Sequence, residues 1–248
     1  MRNIFLGFAC NNACVFCAQG SLRDREEGPP DVAAQLAAIV AGETVAFIGG
    51  EPTIHDELPA WIKAADAKGA ARVLVQTNGR RLAYRAFTRA LREASTKLAL
   101  DVALQGSTAA MHEYHTGTPG SFEQTVRGVR QARAERIPVG ITTVVTRSNF
   151  RHLGEIARLA HTAGAEAIHF AKAEPFGRAA IARDRVVPAR EMVLPYLTRA
   201  AFEAQRLGLE VVVGTRGSSS SFAGIGEIEA MVEPTPPTVR KTSLPMVG

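Results

Sequence analysis

The sequence predicts an α/β fold, a partial (β/α)6 barrel of parallel strands with the helices outside, followed by a short C-terminal extension. The first observation is a repeated unit, in which a short apolar run is followed by a turn and an amphipathic helical pattern. The second is the alternation of strand and helix, which builds a parallel sheet covered by helices. The third is the number of units, since six are too few for the usual closed eight-stranded barrel but enough for a partly open one.

Each predicted strand is a short apolar run bounded by turn residues. The six runs are Asn3–Phe8, Thr44–Ile48, Arg72–Gln76, Leu98–Leu104, Val139–Val145 and Ala167–Ala171. A further run, Glu210–Val213, could add a seventh strand. In such a sheet the ligand lies at the carboxyl ends of the strands, so the loops that follow the strands should line one mouth.

Each predicted helix is a segment in which apolar residues return every three or four positions. The helices are Asp31–Val40, Glu57–Lys68, Leu82–Ala94, Phe122–Arg136, Phe150–Ala163 and Arg190–Leu207. Pro195 leaves the start of the last helix open, because proline lacks the N–H that an interior helical position uses.

The 248 residues suggest one barrel domain, residues 1–213, and a Ser- and Pro-rich extension, residues 214–248, that is flexible or draped over it. The net charge of +5 is spread over scattered arginines and only 6% of residues are aromatic, which disfavours nucleic-acid binding. No apolar run approaches the roughly 18 residues of a membrane span. Met1 leads into a strand rather than a signal peptide, so the sequence predicts a cytoplasmic protein with no membrane contact.

All three cysteines of the chain lie close together, at Cys10, Cys14 and Cys17. Their odd number and tight spacing do not suit disulfides, and no Cys or His follows closely to complete a four-ligand zinc site. Three thiolates suit an iron–sulfur cluster in which one iron is left open for another ligand. The alternative is three small buried side chains that happen to cluster, although the polar neighbours Asn11 and Asn12 favour a loop around a ligand.

Two motifs carry a resemblance to a known family. Cys10-x3-Cys14-x2-Cys17, with Phe16 before the last cysteine, resembles the CxxxCxΦC motif of the radical S-adenosylmethionine (SAM) superfamily, and GGEP at Gly49–Pro52 resembles its second motif. Within this superfamily the sequence most resembles the molybdenum-cofactor and peptide-maturase branch, without a SPASM extension. The resemblance implies that the cysteines hold a [4Fe–4S] cluster, that SAM is chelated at the fourth iron, and that the backbone of Phe16 lies near the adenine.

The resemblance also implies contacts with SAM at the ends of later strands. The implied positions are Gly49, Gly50, Glu51, Thr77, Asn78 and Gln105. Relatives usually carry Ser where this chain has Ala103, so one expected hydroxyl is missing, and Gln105 or Ser107 could replace it. Arg147 and Lys172 could meet a carboxylate of SAM or substrate, with solvated surface charge as the equal alternative.

His112 and His115 lie in the same strand-four segment as Gln105. Two histidines beside a helix start are more often capping or packing residues than catalytic bases, and the sequence favours that interpretation.

The resemblance predicts an enzyme that cleaves SAM reductively to a 5′-deoxyadenosyl radical, which then abstracts hydrogen from a peptide or small-molecule substrate. It implies an external electron donor such as flavodoxin or ferredoxin. Two alternatives stay open. One is a non-catalytic iron–sulfur protein for electron transfer or sensing, and the other is a degenerate member that binds SAM without cleaving it.

Overall fold

The structure of the protein is a computed structural model. It describes residues 1–20, residue 22 and residues 30–215. The predicted extension, residues 214–248, lies outside the described residues from position 216 onward, while positions 214 and 215 belong to the last strand. The division into a barrel domain and an extension therefore stays a prediction.

Seven parallel strands form one sheet in chain order, which confirms the predicted partial barrel and adds the seventh strand. The strands are β1 Arg2–Phe5, β2 Thr44–Ile48, β3 Arg72–Thr77, β4 Leu98–Ala103, β5 Val139–Val145, β6 Ala167–Lys172 and β7 Glu210–Thr215. β7 pairs with β6 from Glu210 opposite Ala167 to Thr215 opposite Lys172. Within the described part of the chain no pairing joins β7 to β1, so the barrel stays open.

Helices connect the strands on the outside of the sheet. They are α1 Val32–Ala37, α2 Leu58–Ala67, α3 Arg85–Ala94, α4 Ala109–Thr116, α5 Ser121–Ala134, α6 Leu153–Ala163, α7 Arg178–Ile181, α8 Arg183–Val186 and α9 Arg190–Arg206, with 3-10 turns at Pro52–Ile54, Arg81–Ala83 and Phe150–His152. None of the described helices is both long and apolar enough to cross a lipid bilayer.

Several predicted boundaries move for local reasons. β1 ends at Phe5 rather than Phe8, and Gly7 beyond it adopts a φ of 92° that an extended strand cannot hold. Asp31 caps α1 instead of belonging to it, because its carboxylate accepts the N–H of Ala34 at 2.8 Å. α9, in contrast, begins at Arg190 as predicted, with Pro195 inside the helix.

Helix α4 was not predicted from the sequence. Its termini carry ordinary signals, since the hydroxyl of Thr108 accepts the N–H of Met111 and Gly117 ends the helix at a φ of 62°. The residues that α4 buries, however, are His112, His115 and Thr116. A helix whose buried face is polar gives no apolar period to detect.

The two faces of the strands differ in chemistry. Residues such as Phe47, Leu100 and Phe170 are fully buried in the large core between the sheet and the helices. Inside the barrel, Ala46, Leu74 and Ala99 form a small apolar floor, with Ile48 packed against it. Above this floor, four polar side chains from β3 to β6 line the interior, at Gln76, Asp101, Thr142 and His169. The barrel is therefore apolar at its base and polar toward its mouth.

Candidate cluster and cofactor site

A cavity of about 330 Å³ opens at the carboxyl ends of the strands. Residues from the loops after β1, β2, β3 and β4 meet on its wall, as expected for a parallel sheet. The wall includes all ten residues proposed from the sequence, at Cys10, Cys14, Phe16, Cys17, Gly49, Gly50, Glu51, Thr77, Asn78 and Gln105. The fold thus brings together residues that span 95 positions of the chain, from 10 to 105.

The loop after β1 presents three cysteines that form no disulfide, each half-buried. The N–H of Asn12 donates to the Sγ atom of Cys10 at 3.4 Å, and the N–H of Cys17 donates to the carbonyl of Cys14 at 3.2 Å. Backbone N–H groups aimed at thiolate sulfur are one of the levers by which proteins tune iron–sulfur clusters.

Among the described residues, no group of three or more Cys, His, Asp or Glu side chains is placed to hold one metal ion. A [4Fe–4S] cluster needs a different arrangement, because each thiolate binds its own iron at a separate corner. Three uncrosslinked thiols along one loop, all on the wall of one cavity, fit that requirement.

Three glycines allow the rest of the protein to approach the cysteine loop closely. A Cβ atom on Gly50 would lie 2.0 Å from the carbonyl oxygen of Ala9, and one on Gly117 would lie 2.8 Å from that of Ala13. A Cβ atom on Gly177 would lie 2.4 Å from the carbonyl oxygen of Cys17. All three have positive φ, so any other residue would both clash and be strained.

Backbone hydrogen bonds fix the loop at the same places. The carbonyl of Ala9 accepts from Glu51 N–H at 2.8 Å, and the carbonyl of Cys17 accepts from Arg178 N–H at 3.0 Å. Between them, Ala13 N–H donates to the carbonyl of Thr116 at 2.8 Å. The loops after β2 and β6 and the end of α4 therefore set the shape of the cysteine loop.

Glu51 lies at the centre of the site, but its carboxylate faces protein groups. One oxygen accepts from both the N–H and the hydroxyl of Thr53, at 3.0 and 2.6 Å, and from the hydroxyl of Thr77 at 2.6 Å. The other accepts from the N–H of Asn78 at 2.6 Å. Burial raises the pKa of Glu51, and these hydrogen bonds oppose that rise. Its carboxylate therefore joins the loop after β2 to the end of β3.

Thr77 and Asn78 also form hydrogen bonds where the loop after β2 meets the end of β3. The Thr77 hydroxyl donates to Glu51 and accepts from the N–H of Gly79 at 3.0 Å. The side-chain amide of Asn78 donates to the Oδ1 atom of Asn11 at 2.6 Å. Asn78 thus ties the end of β3 directly to the segment between the first two cysteines.

Arg80 is a residue of this site that sequence reasoning missed. Its guanidinium donates to the carbonyl of Asn11, to Oδ1 of Asn12 at 3.0 Å and to Oε1 of Gln124 at 2.7 Å. It therefore fastens the cysteine loop to the end of β3 and to α5. The available signal was its place directly after TNG, where a side chain at a strand end faces the mouth.

Of the two candidates for the hydroxyl absent at Ala103, Gln105 lies on the cavity wall and Ser107 does not. Gln105 is buried, with its oxygen accepting from Val144 N–H at 2.8 Å. Ser107 instead donates to a carboxylate oxygen of Glu155 at 2.9 Å. Gln105 braces the end of β4 against β5 at the rim of the cavity.

Both histidines of α4 are fully buried and hydrogen-bonded within the protein. Nδ1 of His112 accepts from the N–H of Gln105 at 3.1 Å, and burial, with a smaller effect from His115, lowers its pKa to about 3. Nε2 of His115 lies 2.8 Å from the hydroxyls of Thr146 and Ser148. These contacts agree with the packing interpretation. The remaining candidates, Arg147 and Lys172, are exposed and do not line the cavity.

The open parallel barrel, with three thiols on one loop at its mouth, defines a protein built to hold a cluster and a ligand at the strand ends. Comparison with known proteins gives the family. The family model described as the Radical SAM superfamily matches residues 4–160. The chain belongs to the radical SAM superfamily, whose members use a [4Fe–4S] cluster and SAM.

Curated relatives lie in several branches of that superfamily. The chain is 31% identical over 188 residues to the AdoMet-dependent heme synthase of Nitratidesulfovibrio vulgaris, with 74% of this chain and 50% of that protein covered. It is 31% identical over 181 residues to mycofactocin maturase MftC of Mycobacterium tuberculosis, with 70% and 44% covered. The chain thus spans about half the length of the curated relatives it matches.

Solved structures share the fold at low sequence identity. Streptococcus suis SuiB superposes with a TM-score of 0.64 at 15% identity, with 87% of this chain and 49% of that chain covered. The structure of native anSMEcpe with bound AdoMet and Cp18Cys peptide gives a TM-score of 0.64 at 18% identity, with 85% and 62% covered. At these identities the likeness is one of fold.

Proposed function

We propose that this chain is a radical SAM enzyme that cleaves SAM reductively and abstracts hydrogen from a substrate. In this proposal Cys10, Cys14 and Cys17 hold a [4Fe–4S] cluster and SAM binds at its fourth iron. The cluster and SAM, when bound, supply the 5′-deoxyadenosyl radical that abstracts the hydrogen. The observation that carries the proposal is the meeting of all ten sequence-proposed residues on one cavity wall.

The residues around the thiols have separate tasks in this proposal. Gly49 and Gly50, with φ of 96° and 45°, let the backbone after β2 pack closely against the segment before the cysteines, and this places backbone groups on the cavity wall where SAM would bind. Glu51 and Thr77 keep that backbone in place through their shared hydrogen bond. Phe16 packs against His115, with ring centroids 6.1 Å apart, and so holds the loop backbone at the cavity.

The substrate is a peptide or a small molecule, bound above the apolar floor of the barrel. Support comes from the polar interior wall, where the hydroxyl of Thr142 donates to the carboxylate of Asp101 at 2.6 Å. A polar wall at the mouth favours a substrate with hydrogen-bonding groups. Enzymes of the radical SAM family act on substrates such as peptides, which supports a peptide as one of the two candidates. We further propose that an external electron carrier reduces the cluster and that the protein works in the cytoplasm.

The direct test is product formation. The protein would be reconstituted with iron and sulfide without oxygen, reduced with dithionite, and incubated with SAM, and 5′-deoxyadenosine would be measured by mass spectrometry. We expect its formation in the wild type and none in Cys14→Ala. A fully loaded cluster that forms no 5′-deoxyadenosine would overturn the proposal in favour of the electron-transfer or degenerate alternatives.

A further inference from the structure

His115 on α4 is held in one orientation by hydrogen bonds at both ring nitrogens. Nδ1 lies 2.6 Å from the carbonyl oxygen of Met111, which can only accept, so Nδ1 carries a proton and donates it. Nε2 lies 2.8 Å from the hydroxyls of both Thr146 and Ser148, in the loop after β5. Those two hydroxyls are 3.1 Å apart. The imidazole therefore connects α4 to the loop after β5.

Burial favours the neutral form of this imidazole. His115 is fully buried, and burial lowers its pKa, an effect that the hydrogen bond to the Met111 carbonyl opposes. In the neutral ring Nε2 is an acceptor, so a hydroxyl of Thr146 or Ser148 can donate to it. A buried polar group that is hydrogen-bonded at both ends is rigid. The ring is therefore a firm support for the residues packed against it.

His115 contacts the cysteine loop in two ways. Its ring packs against Phe16, with centroids 6.1 Å apart and planes inclined by 48°. Its carbonyl accepts the N–H of Val15 at 3.0 Å. The carbonyl of the next residue, Thr116, accepts the N–H of Ala13 at 2.8 Å. The end of α4 thus holds the cysteine loop on both sides of its second cysteine.

We infer that His115 is a positioning residue that sets the place of residues 15 and 16 and thereby the affinity for SAM. The inference rests on the proposed function, in which the backbone of Phe16 lies near the adenine of SAM. Thr146 and Ser148 do not line the cavity, so their hydroxyls act on SAM binding only through the orientation of His115.

Cluster loading should depend on His115 less than SAM binding does. Cys14 and Cys17 would bond directly to iron, and the free energy of metal binding can order the chain that supplies the ligands. SAM has no such bond to residues 15 and 16, so a displaced loop backbone lowers its affinity directly.

The test changes the loop after β5 without changing the cavity wall. We call the double change Thr146→Val and Ser148→Ala the β5-loop variant; it removes both hydroxyls at Nε2, and His115→Leu removes the ring itself. The matched control is Thr88→Val on α3, outside the cavity wall, which removes a buried hydroxyl that donates to the carbonyl of Leu82 at 2.7 Å. The control reports what the loss of a buried hydrogen bond does by itself.

Two measurements separate the position of the loop from the loading of the cluster. SAM binding to the reconstituted protein would be measured by equilibrium dialysis, together with iron content, and amide hydrogen exchange of residues 13–17 would be followed in the cluster-free protein. We expect about tenfold weaker SAM binding in the β5-loop variant and in His115→Leu, as when an outer-shell partner is removed, at wild-type iron content. Exchange should quicken in both variants. Thr88→Val should match the wild type in both measurements.

A double-mutant cycle tests whether His115 acts through Phe16. Phe16→Leu alone should also weaken SAM binding, because it removes the same ring contact. The combination of Phe16→Leu with His115→Leu should weaken SAM binding by less than the product of the two single effects.

Unchanged SAM affinity in the β5-loop variant would overturn the inference, and so would independent effects in the cycle. An equal loss of affinity in Thr88→Val would show that stability rather than position sets the affinity. Iron content that fell in step with SAM binding would make His115 a support of the cluster ligands instead. A wild type with a loaded cluster that bound no SAM would contradict the proposed function, while hydrogen exchange would still support or overturn the placement of residues 15 and 16 by His115.

Discussion

The hydroxyl of Thr77 donates a 2.6 Å hydrogen bond to the buried carboxylate of Glu51, across 26 positions of the chain. This contact joins the loop after β2 to the end of β3 at the edge of the cavity. Because the second carboxylate oxygen accepts from the N–H of Asn78, both oxygens of Glu51 are used inside the protein. The acidic residue of the GGEP motif thus positions the backbone that faces the cavity.

Replacing Glu51 by Gln should therefore affect folding as well as SAM binding. The amide keeps one acceptor and turns N–H groups toward the donors of Thr77 or Asn78, which leaves a buried donor unpaired. We expect a loss of about 1–3 kcal/mol in the free energy of unfolding, measured by urea denaturation of the cluster-free protein, together with weaker SAM binding. Glu57→Gln, at an exposed carboxylate, is the control. Unchanged stability in Glu51→Gln would show that the hydrogen bonds are not important for the fold.

Replacing Cys14 by Ala should abolish cluster loading and SAM cleavage and leave the fold intact. The thiol is half-buried at the cavity, so its removal costs little packing. The measurements are the visible absorbance of the reconstituted protein, 5′-deoxyadenosine formation, and a thermal melt. SAM cleavage at the wild-type rate would show that Cys14 is not a cluster ligand.

Arg80 should matter to the cysteine loop through its geometry as well as its charge. Lysine keeps the charge but cannot reach Asn11, Asn12 and Gln124 at once. We expect both Arg80→Lys and Arg80→Met to speed the loss of iron to a chelator by about tenfold, as when an outer-shell partner of a metal site is removed.

Amide hydrogen exchange of residues 10–17 in the cluster-free protein provides a second measurement for Arg80. Exchange should quicken in both Arg80 variants and stay unchanged in Arg130→Met. Full protection in Arg80→Lys would mean that charge alone is sufficient at this position.

Gly177→Ala should displace the cysteine loop, because its methyl group would meet the carbonyl of Cys17 at 2.4 Å. The control is Gly208→Ala. Gly208 also has a positive φ, of 82°, but no atom lies within 4 Å of the position of the added methyl group. Both positions have a positive φ, and Gly177 also has a ψ of −127°, outside the left-handed helical region, so backbone strain at Gly177 adds to the clash. We expect cluster loading to fall in Gly177→Ala and to stay normal in Gly208→Ala. Equal loading would refute the role of close approach.

His112 should make the cluster-free protein less stable in acid. Its pKa is about 3 in the folded protein against 6.5 for an ordinary histidine, so below pH 6.5 the unfolded chain binds a proton that the folded one does not. Stability should fall as the pH drops below 6.5, by up to about 1.4 kcal/mol per pH unit for this group.

His112→Asn is the matched variant for that dependence, because its side-chain oxygen can still accept the N–H of Gln105 and cannot take up a proton in this range. Urea denaturation between pH 5 and pH 7.5 should show a shallower slope in the variant. An identical slope would assign the acid sensitivity to other groups, among them His115, whose pKa burial also lowers.

Some features of the site needed no tertiary information. The apolar runs and helical periods predicted the parallel barrel, and the rule that ligands bind at the carboxyl ends of such strands predicted that the loops after β1 to β4 share one mouth. The cysteine spacing and the GGEP motif are short patterns that can be identified directly in the sequence. The strand-end rule, together with the family resemblance that singled out the residues, is why the ten residues chosen from the sequence lie on one cavity wall.

The sequence by itself determined the order of the strands, the spacing of the three cysteines and the end of the sheet at which their loop lies, because these follow from local periodicity and spacing. Only the tertiary structure decided that the Glu51 carboxylate binds Thr77, that Arg80 holds Asn12, and that Gly177 rests on Cys17. Those pairs are 26 to 160 positions apart. Such contacts depend on strand register and on the close approach of loops after folding, and no local pattern encodes them.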